Sequence, residues 1–280
     1  MSNKSRASVK SYYELGWEKD RLTTGKGHAQ AIEGKIEKCR TLDLLDRYIT
    51  KPNAIIVDVG GAAGAYSFAL AHLGHQVHLV DLVPLHIEQA KEEQKKAGSP
   101  QLASCNVGDA CELRFRDNFA DVILLMGPLY HLHNKEERQQ SLREAFRVLK
   151  PGGILFAVGI SRFVPLLDFL RIGTFAEHAS MIEKDIASGC HENPSQDPRL
   201  FTTAYFHKPE ELALEIENSD FKNVKLIAIE GPLLFTHNLE EHWADEKSRA
   251  LLLRFATQVE SEPAIIGMSN HIAAIGYKPC

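Results

Sequence analysis

The sequence predicts an α/β protein with a doubly wound, mostly parallel sheet of seven strands and helical lid insertions. Short apolar runs alternate with helix-length amphipathic segments, which is typical of a parallel sheet covered by helices on both faces. The chain has 280 residues, of which 44% are hydrophobic and 25% are charged. These fractions are typical of a globular protein that is large enough to bury a sizeable core.

Seven apolar runs predict the strands of this sheet. Five of them alternate with helical segments in the first part of the chain, and two follow near its end. The predicted strands are Ala54–Val59, Gln76–Asp81, Gln101–Asn106, Ala120–Met126, Ile154–Gly159, Val224–Glu230 and Ile272–Tyr277.

Two of the intervening segments have clear helical spacing. Tyr66 and Leu73 mark the ends of an i, i+3, i+4, i+7 pattern that gives one buried face. The same pattern runs to Leu149 in a later segment, which Asn134 can cap at its start. That helix is predicted to end at Lys150–Gly153, because proline cannot continue a helix and glycine permits a sharp turn.

The chain is predicted to have four segments. Residues 1–50 form an N-terminal helical cap, and residues 51–160 form the cofactor-binding core of the sheet. Residues 161–206 form a helical lid insertion, since long insertions in such folds usually serve the site. Residues 207–280 complete the core and contain a second helical insertion at about 231–268.

Charge and composition narrow the classes of function. The net charge of −5 provides no basic surface for a nucleic acid, so no nucleic-acid partner is favoured. No apolar run reaches the roughly 18 residues of a membrane-spanning helix, and the first residues contain no apolar signal region. The five cysteines are scattered without metal-ligand spacing, which predicts reduced thiols, no metal site and a cytoplasmic location.

A glycine-rich turn follows the first predicted strand. Glycines at this point let the backbone approach a ligand closely, and the following helix presents free N–H groups. The dinucleotide fingerprint would place glycines at positions 60, 62 and 65, but positions 62 and 65 are alanines. The pattern is instead Asp58-x-Gly60-x-Ala62-x-Gly64, with a further glycine at position 61.

Two aspartates follow later strands at the same predicted edge. Asp81 ends the second strand, where a carboxylate can accept both hydroxyls of a ribose. Asp109 follows the third strand within Gly108-Asp109-Ala110. Each aspartate has an ordinary alternative as a helix cap or turn residue.

Together with Arg147–Gly153, these motifs resemble the class I S-adenosylmethionine-dependent methyltransferases, whose sheet is Rossmann-like. The resemblance implies that S-adenosylmethionine is the cofactor and that Asp109 receives the adenine amino group. Asp58 either organises the loop or is a buried structural acid. The cofactor-binding residues that the resemblance implies are Asp58, Gly60, Gly61, Ala62, Gly64, Asp81, Leu82, Asp109, Ala110 and Met126.

The segment Leu125–Leu132, with the sequence LMGPLYHL, resembles a bacterial subgroup of small-molecule-type methyltransferases. Phe201–His207, Glu230–Pro232 and Glu262–Gly267 are similar to the same subgroup. The likeness extends from about residue 10 onward. It implies a small-molecule methyl acceptor and leaves that acceptor unidentified.

The residues that would handle the acceptor follow the fourth strand and the lid. Tyr130 and His131 are the predicted catalytic residues, because the segment that follows the fourth strand lies beside the cofactor's methyl group in the resembled fold. In addition, histidine can act as a base near neutral pH. Each of the two has a structural alternative. The predicted acceptor pocket contains Tyr130 together with Arg162, Tyr205 and His207, although Arg162 could be a surface residue and the other two could be packing residues.

Other interpretations remain open at this level. A nicotinamide or flavin oxidoreductase would need the glycine spacing that the loop lacks. A regulatory protein that binds S-adenosylmethionine without transferring its methyl group would keep the same loop and aspartates. An RNA or protein acceptor is a further alternative, which the net negative charge of the chain disfavours. Tyr12, Tyr13 and Trp17 either fold over the cofactor or pack on the sheet edge.

Overall fold

The computed structural model describes residues 9–14, 21–22, 31–193 and 200–280. Trp17 and positions 194–198 of the predicted polar loop lie outside these ranges. Residues 9–13 are helical, and the continuous part of the fold begins with a long helix at Ala31. Within the described ranges, no helix combines the length and the apolar character that crossing a membrane requires.

The described elements alternate between strand and helix through the first half of the chain. In order they are α1 (Ala31–Tyr48), β1 (Ile55–Val59), α2 (Ala65–His72), β2 (Gln76–Asp81), α3 (Pro84–Gln94), β3 (Ser104–Val107), β4 (Ala120–Leu125), α4 (Pro128–His131), α5 (Lys135–Val148) and β5 (Leu149–Ser161).

The second half adds two helical insertions to the sheet. Its elements are α6 (Val164–Ile172), α7 (Ala179–Ser188), β6 (Cys190–His191), β7 (Ala204–His207), α8 (Pro209–Glu217), β8 (Lys222–Ala228), a 3-10 helix (Gly231–Phe235), α9 (Leu239–Ala244), α10 (Glu246–Val259), α11 (Pro263–Ile266) and β9 (His271–Tyr277).

The predicted doubly wound, mostly parallel sheet is confirmed. Its main strands run in the order β3-β2-β1-β4-β5-β9-β8, and β9 is antiparallel to both of its neighbours. The short strand β7 pairs in parallel with the last two residues of β5, and β6 pairs with β7. Because β1, β2, β4 and β5 are parallel, their carboxyl ends lie at one edge of the sheet, where ligands bind in open α/β folds.

Helices cover both faces of the sheet. One buried cluster joins apolar residues of α1, α2 and α3 to strand residues such as Ile56 and Leu124. The opposite cluster joins residues of α5 and α8 to the alternate strand positions, including Val57 and Ile123. Strands buried on both faces read as continuous apolar runs, which is why these strands were predictable from the sequence.

Several predicted boundaries were wrong. Strand β3 begins at Ser104 and not at Gln101, because Leu102 donates its backbone N–H to the Gln94 side chain instead of joining the sheet. Helix α5 ends at Val148 and not at Lys150–Gly153, because Leu149 is already extended, with φ −65° and ψ 141°, and begins β5. Strand β8 begins at Lys222 and ends at Ala228, two residues earlier than predicted at each end.

Candidate functional site

The glycine-rich loop joins β1 to α2 through backbone conformations that favour glycine. Gly60, Ala62 and Gly64 have φ values of 73°, 49° and 89°. A Cβ atom on Gly60 would lie 2.7 Å from Pro128, and one on Gly61 would lie 2.4 Å from the Asp58 carboxylate. The loop therefore needs its glycines for close packing, and Ala62 holds a left-handed conformation that is costly for alanine.

Asp58 lies beneath this loop and is buried. Its Oδ2 accepts a hydrogen bond of 2.6 Å from the Ser67 hydroxyl, and its Oδ1 has no hydrogen-bond partner. Burial, together with the nearby Asp81, raises the pKa of Asp58 to about 6. A buried carboxylate oxygen without a partner is costly, so a ligand that brings a cationic donor, such as an ammonium group, would be stabilised here.

Asp81 connects the end of β2 to the loop. Its Oδ2 accepts the backbone N–H of Ala62 at 2.9 Å, and its Oδ1 accepts the N–H of Val83 at 2.8 Å. The His86 ring nitrogen Nδ1 lies 3.0 Å from the same Oδ1. The carboxylate thus fixes the loop and the start of α3 while remaining at the edge where a ribose would bind.

The first of two adjoining cavities, called cavity 1, has a volume of about 90 Å³. It lies between the loop, the ends of β2 and β3, and the turn α4. Tyr13 covers it from the N-terminal helical segment. Among the predicted site residues, those that line it are Gly60, Ala62, Asp81, Leu82, Asp109, Ala110, Tyr130 and His131.

Cavity 2 is larger, with a volume of about 590 Å³, and shares Gly60, Ala62 and Tyr130 with cavity 1. It extends from the loop toward α1. The predicted residues that line it are Asp58, Gly60, Gly61, Ala62, Met126 and Tyr130. Gly64 lines neither cavity and instead forms the N-terminal cap position of α2.

The short helix α4 carries Tyr130 and His131. The Tyr130 hydroxyl donates to the Met126 carbonyl at 3.0 Å, which directs its ring across the junction of the cavities. His131 is buried, and its Nε2 lies 2.8 Å from the Tyr13 hydroxyl. Burial lowers the pKa of His131 to about 4, so its imidazole is neutral at pH 7 and a weak base.

The assignment of Arg162, Tyr205 and His207 to the acceptor pocket is not supported, because none of the three lines either cavity. Arg162 is buried and donates to the Phe206 carbonyl at 3.0 Å and to the Tyr205 hydroxyl at 3.0 Å. A surface position for Arg162 is therefore wrong as well. His207 is fully buried, with its Nε2 3.4 Å from Glu215. Buried charges must be paired, and these side chains pair with one another and with Glu211 and Glu215.

Arg138 is a residue of this region that the sequence did not reveal. Its guanidinium binds both carboxylate oxygens of Glu215, at 2.9 and 2.7 Å, and stacks on Tyr205 at 3.6 Å. Its Nη1 also donates to the carbonyls of Leu132 and His133, each at 2.9 Å. Arg138 thus holds the chain that leaves α4. A helical arginine gives no sequence signal of this role.

A second group that the sequence did not reveal lies at the α1 side of cavity 2. One ligand-type atom from each of Glu37, Glu230 and His271 lies within 4.8 Å of the others, and Arg21 pairs with Glu37. The His271 Nδ1 lies 2.6 Å from Glu230. Although burial opposes its charge, the carboxylates of Glu37 and Glu230 raise the pKa of His271 to about 9.

Comparison with known proteins finds a family whose match contains the glycine-rich loop, Asp81 and Asp109. Residues 57–157 match the methyltransferase domain family. The ubiquinone/menaquinone biosynthesis C-methyltransferase UbiE of Ruegeria sp. (strain TM1040) is 34% identical over 123 residues, which are 42% of this chain and 47% of that protein. The alignment therefore spans about half the length of this relative.

Solved structures extend the likeness to the whole fold. A structure of an S-adenosylmethionine-dependent methyltransferase from Methanosarcina mazei has a TM-score of 0.56 at 18% identity, covering 84% of this chain and 97% of that one. The [4+2]-cyclase SpnF has a TM-score of 0.59 at 17% identity, covering 97% and 95%. Residues 57–157 therefore match the methyltransferase domain family, and the whole chain has the Rossmann-like fold of these solved structures.

Proposed function

We propose that this protein transfers a methyl group from S-adenosylmethionine to a small-molecule acceptor. The observation that carries the proposal is the arrangement of Asp58 and Asp81 on either side of one loop. Asp81 faces cavity 1 and Asp58 faces cavity 2, so a ligand lying across Gly60–Ala62 would meet both carboxylates. In S-adenosylmethionine the ribose lies between the adenine and the sulfur, and the amino-acid ammonium group lies beyond the sulfur, so a ribose at Asp81 and an ammonium group at Asp58 suit this pair.

The remaining predicted residues are consistent with the same orientation of S-adenosylmethionine. Leu82, Asp109 and Ala110 line the end of cavity 1 next to Asp81, where the adenine would lie. Tyr130 lines both cavities and Met126 lines cavity 2, and the sulfur and its methyl group would lie beside them. The proposed cofactor thus runs from cavity 1 into cavity 2. Membership of the subgroup that the LMGPLYHL segment resembles remains a prediction.

S-adenosylmethionine supplies a highly activated methyl group, so the protein needs mainly to align the reacting atoms and exclude water. The loop backbone and the two aspartates would fix the cofactor. Tyr130, held through its hydroxyl by Met126, would form a wall beside the methyl group. His131, whose pKa is lowered to about 4 by burial, is poorly suited to act as a base and would instead anchor Tyr13 over cavity 1.

A small-molecule acceptor is favoured by the shape of cavity 2. The cavity lies between α1, the loop and the ends of β4, β5 and β8, and its size is that of a small-molecule pocket. The name of the Ruegeria relative, a C-methyltransferase of quinone biosynthesis, makes an aromatic carbon one attacking atom to test. The similarity to that relative covers 42% of this chain and 47% of that protein, so the acceptor of this chain has to be tested separately.

Calorimetry with S-adenosylmethionine, S-adenosylhomocysteine, NAD and NADP tests the cofactor. We expect both sulfur compounds to bind and the dinucleotides not to bind. Asp58→Asn should weaken binding of the sulfur compounds about tenfold, because it removes a charged acceptor. Tighter binding of NAD than of S-adenosylmethionine would exclude the proposed function. Release of S-adenosylhomocysteine in the presence of candidate acceptors then tests transfer.

A further inference from the structure

The α1 side of cavity 2 has a polar wall. Glu37 and Thr41 lie one turn apart on α1, and Tyr66 lies in the first turn of α2, directly after the loop. All three line cavity 2 together with Gly60 and Met126. A cofactor held on the loop would therefore share this cavity with whatever binds the polar wall.

Tyr66 brings a hydrogen-bond donor to this wall. Its side chain is only 8% exposed, and its hydroxyl has no hydrogen-bond partner. Thr41 is close enough to influence the pKa of the phenol, but the two hydroxyls are not in hydrogen-bonding geometry. Burial, and then the Glu37 carboxylate, raise the pKa of Tyr66 well above its usual value. Tyr66 is thus a neutral buried hydroxyl that a ligand would satisfy.

Glu37 supplies a hydrogen-bond acceptor whose position is fixed by its partners. Arg21 binds both of its carboxylate oxygens, and its Oε2 lies 3.9 Å from the His271 Nδ1. Behind it, Glu230 accepts the backbone N–H of His271 at 2.9 Å and the Ser269 hydroxyl at 2.8 Å. A carboxylate has about four lone-pair sites, so Glu37 can accept a further hydrogen bond from a ligand in cavity 2.

Charges around this wall are balanced, which restricts the ligand. Glu37 of the wall and Glu230 behind it are carboxylates that pair with two cations, so an added ammonium or carboxylate would be an uncompensated buried charge. A neutral hydroxyl group adds no charge, donates one hydrogen bond and accepts others. The two cations are Arg21, which pairs with Glu37, and His271, which pairs with Glu230.

On the basis of the proposed function, we propose that Glu37 and Tyr66 recognise a neutral, weakly acidic hydroxyl group of the methyl acceptor, a phenol or an enol. The hydroxyl donates to Glu37 and accepts from Tyr66. The body of the acceptor contacts the apolar part of the cavity, which Phe68, Val158 and Ile229 form. Glu37 and Tyr66 are then the binding residues that orient the hydroxyl group of the acceptor.

Binding to the protein saturated with S-adenosylhomocysteine tests the inference without turnover. The probes are 2-naphthol, 2-naphthylmethylamine and 2-naphthoate, which have the same ring system and differ in the charge of the polar group. We expect 2-naphthol to bind about tenfold more tightly than the other two at pH 7, measured by calorimetry or ligand-observed NMR.

Two variants locate the hydroxyl. Glu37→Gln and Tyr66→Phe should each weaken 2-naphthol binding about tenfold while the affinity for S-adenosylhomocysteine stays within about twofold. Glu93→Gln is the matched control, because Glu93 lines the same cavity on α3 and pairs with Lys96 instead. It should bind 2-naphthol like the parent protein. Tyr66→Phe keeps the test decisive if Glu37→Gln fails to fold.

Several outcomes would overturn the inference while leaving the proposed function intact. These are tighter binding of the amine or the carboxylate, unchanged 2-naphthol affinity in Glu37→Gln and Tyr66→Phe, or no binding of 2-naphthol by the complex with S-adenosylhomocysteine. Failure of the parent protein to bind S-adenosylhomocysteine would be a different result, because it would contradict the proposed function and the inference together.

Discussion

The carboxylate of Asp81 accepts the backbone N–H of Ala62 across 2.9 Å, so the end of β2 holds the middle of the glycine-rich loop. The same side chain accepts the N–H of Val83 and contacts His86. Asp81 therefore has two tasks, one in shaping the loop and one in the proposed contact with the cofactor. Substitutions at this position should reveal both.

Asp81→Asn should weaken S-adenosylhomocysteine binding about tenfold and lower the free energy of unfolding by about 1 to 3 kcal/mol. The reason is that the amide keeps the shape of the side chain but loses its charge and one acceptor oxygen. Calorimetry and urea unfolding measure the two effects. Asp117→Asn, an exposed aspartate paired with Arg147, is the control and should change neither quantity by much. Normal cofactor affinity in Asp81→Asn would show that the ribose contact is misplaced.

Ala62→Gly should raise the free energy of unfolding by about 0.5 to 1 kcal/mol, because glycine adopts a φ of 49° without the steric cost that alanine carries. The control is Ala63→Gly in the same loop. Ala63 does not have a positive φ, so glycine there should destabilise by a similar amount through the entropy of the unfolded chain. Equal effects of the two substitutions would contradict the conformational explanation.

Tyr13→Ala should speed association of S-adenosylhomocysteine about fivefold, which corresponds to about 1 kcal/mol. Cavity 1 is smaller than small-molecule pockets usually are, and the Tyr13 ring covers it while its hydroxyl bonds to His131. Stopped-flow measurement of association gives the rate. An unchanged rate would mean that the cofactor enters without displacement of Tyr13. His131→Asn offers a comparison that removes the partner of the hydroxyl and keeps the ring of Tyr13.

The part of the candidate site around the glycine-rich loop was predictable because its signals are local. The strand, the loop and Asp81 follow each other closely, and the glycine spacing disfavours a dinucleotide loop. Only together with Asp109 and Arg147–Gly153 do they resemble a methyltransferase. The α1 side of cavity 2 depends on long-range pairing. Glu37 meets Glu230 and His271 because β8 and β9 bring the last two beside α1, and no pattern in the sequence links these positions. Arg162 was misassigned because a basic residue after a strand gives no indication of a buried partner such as Glu211.

Arg138→Met should destabilise the protein by about 3 to 5 kcal/mol, since it leaves the Glu215 carboxylate buried without its main partner. Arg143→Met on the exposed face of the same helix is the control, with an expected loss below about 0.5 kcal/mol. Urea unfolding measures both. A small loss in Arg138→Met would indicate that Glu215 is held adequately by His207.

Stability should fall as the pH rises from about 6.5 to 9, through the titration of His271. Its folded pKa of about 9 lies above the unfolded value of 6.5, so its contribution is complete below pH 6.5 and is lost as the pH passes through 9. The loss should amount to about 1 to 3 kcal/mol. His271→Gln should remove this part of the profile in urea unfolding at several pH values. The exposed His72 provides the control variant His72→Gln, which should keep the parent slope.

Strand β9 lies between β5 and β8, although residues 162–270 separate it from β5 along the chain. During synthesis the edge of β5 therefore cannot pair with β9 until both insertions have been translated. The segment that holds the loop is made early, while β9, which pairs with β5 beside cavity 2, is made late. An incomplete chain would present an apolar open edge, which makes early truncations prone to aggregation and links completion of cavity 2 to completion of the fold.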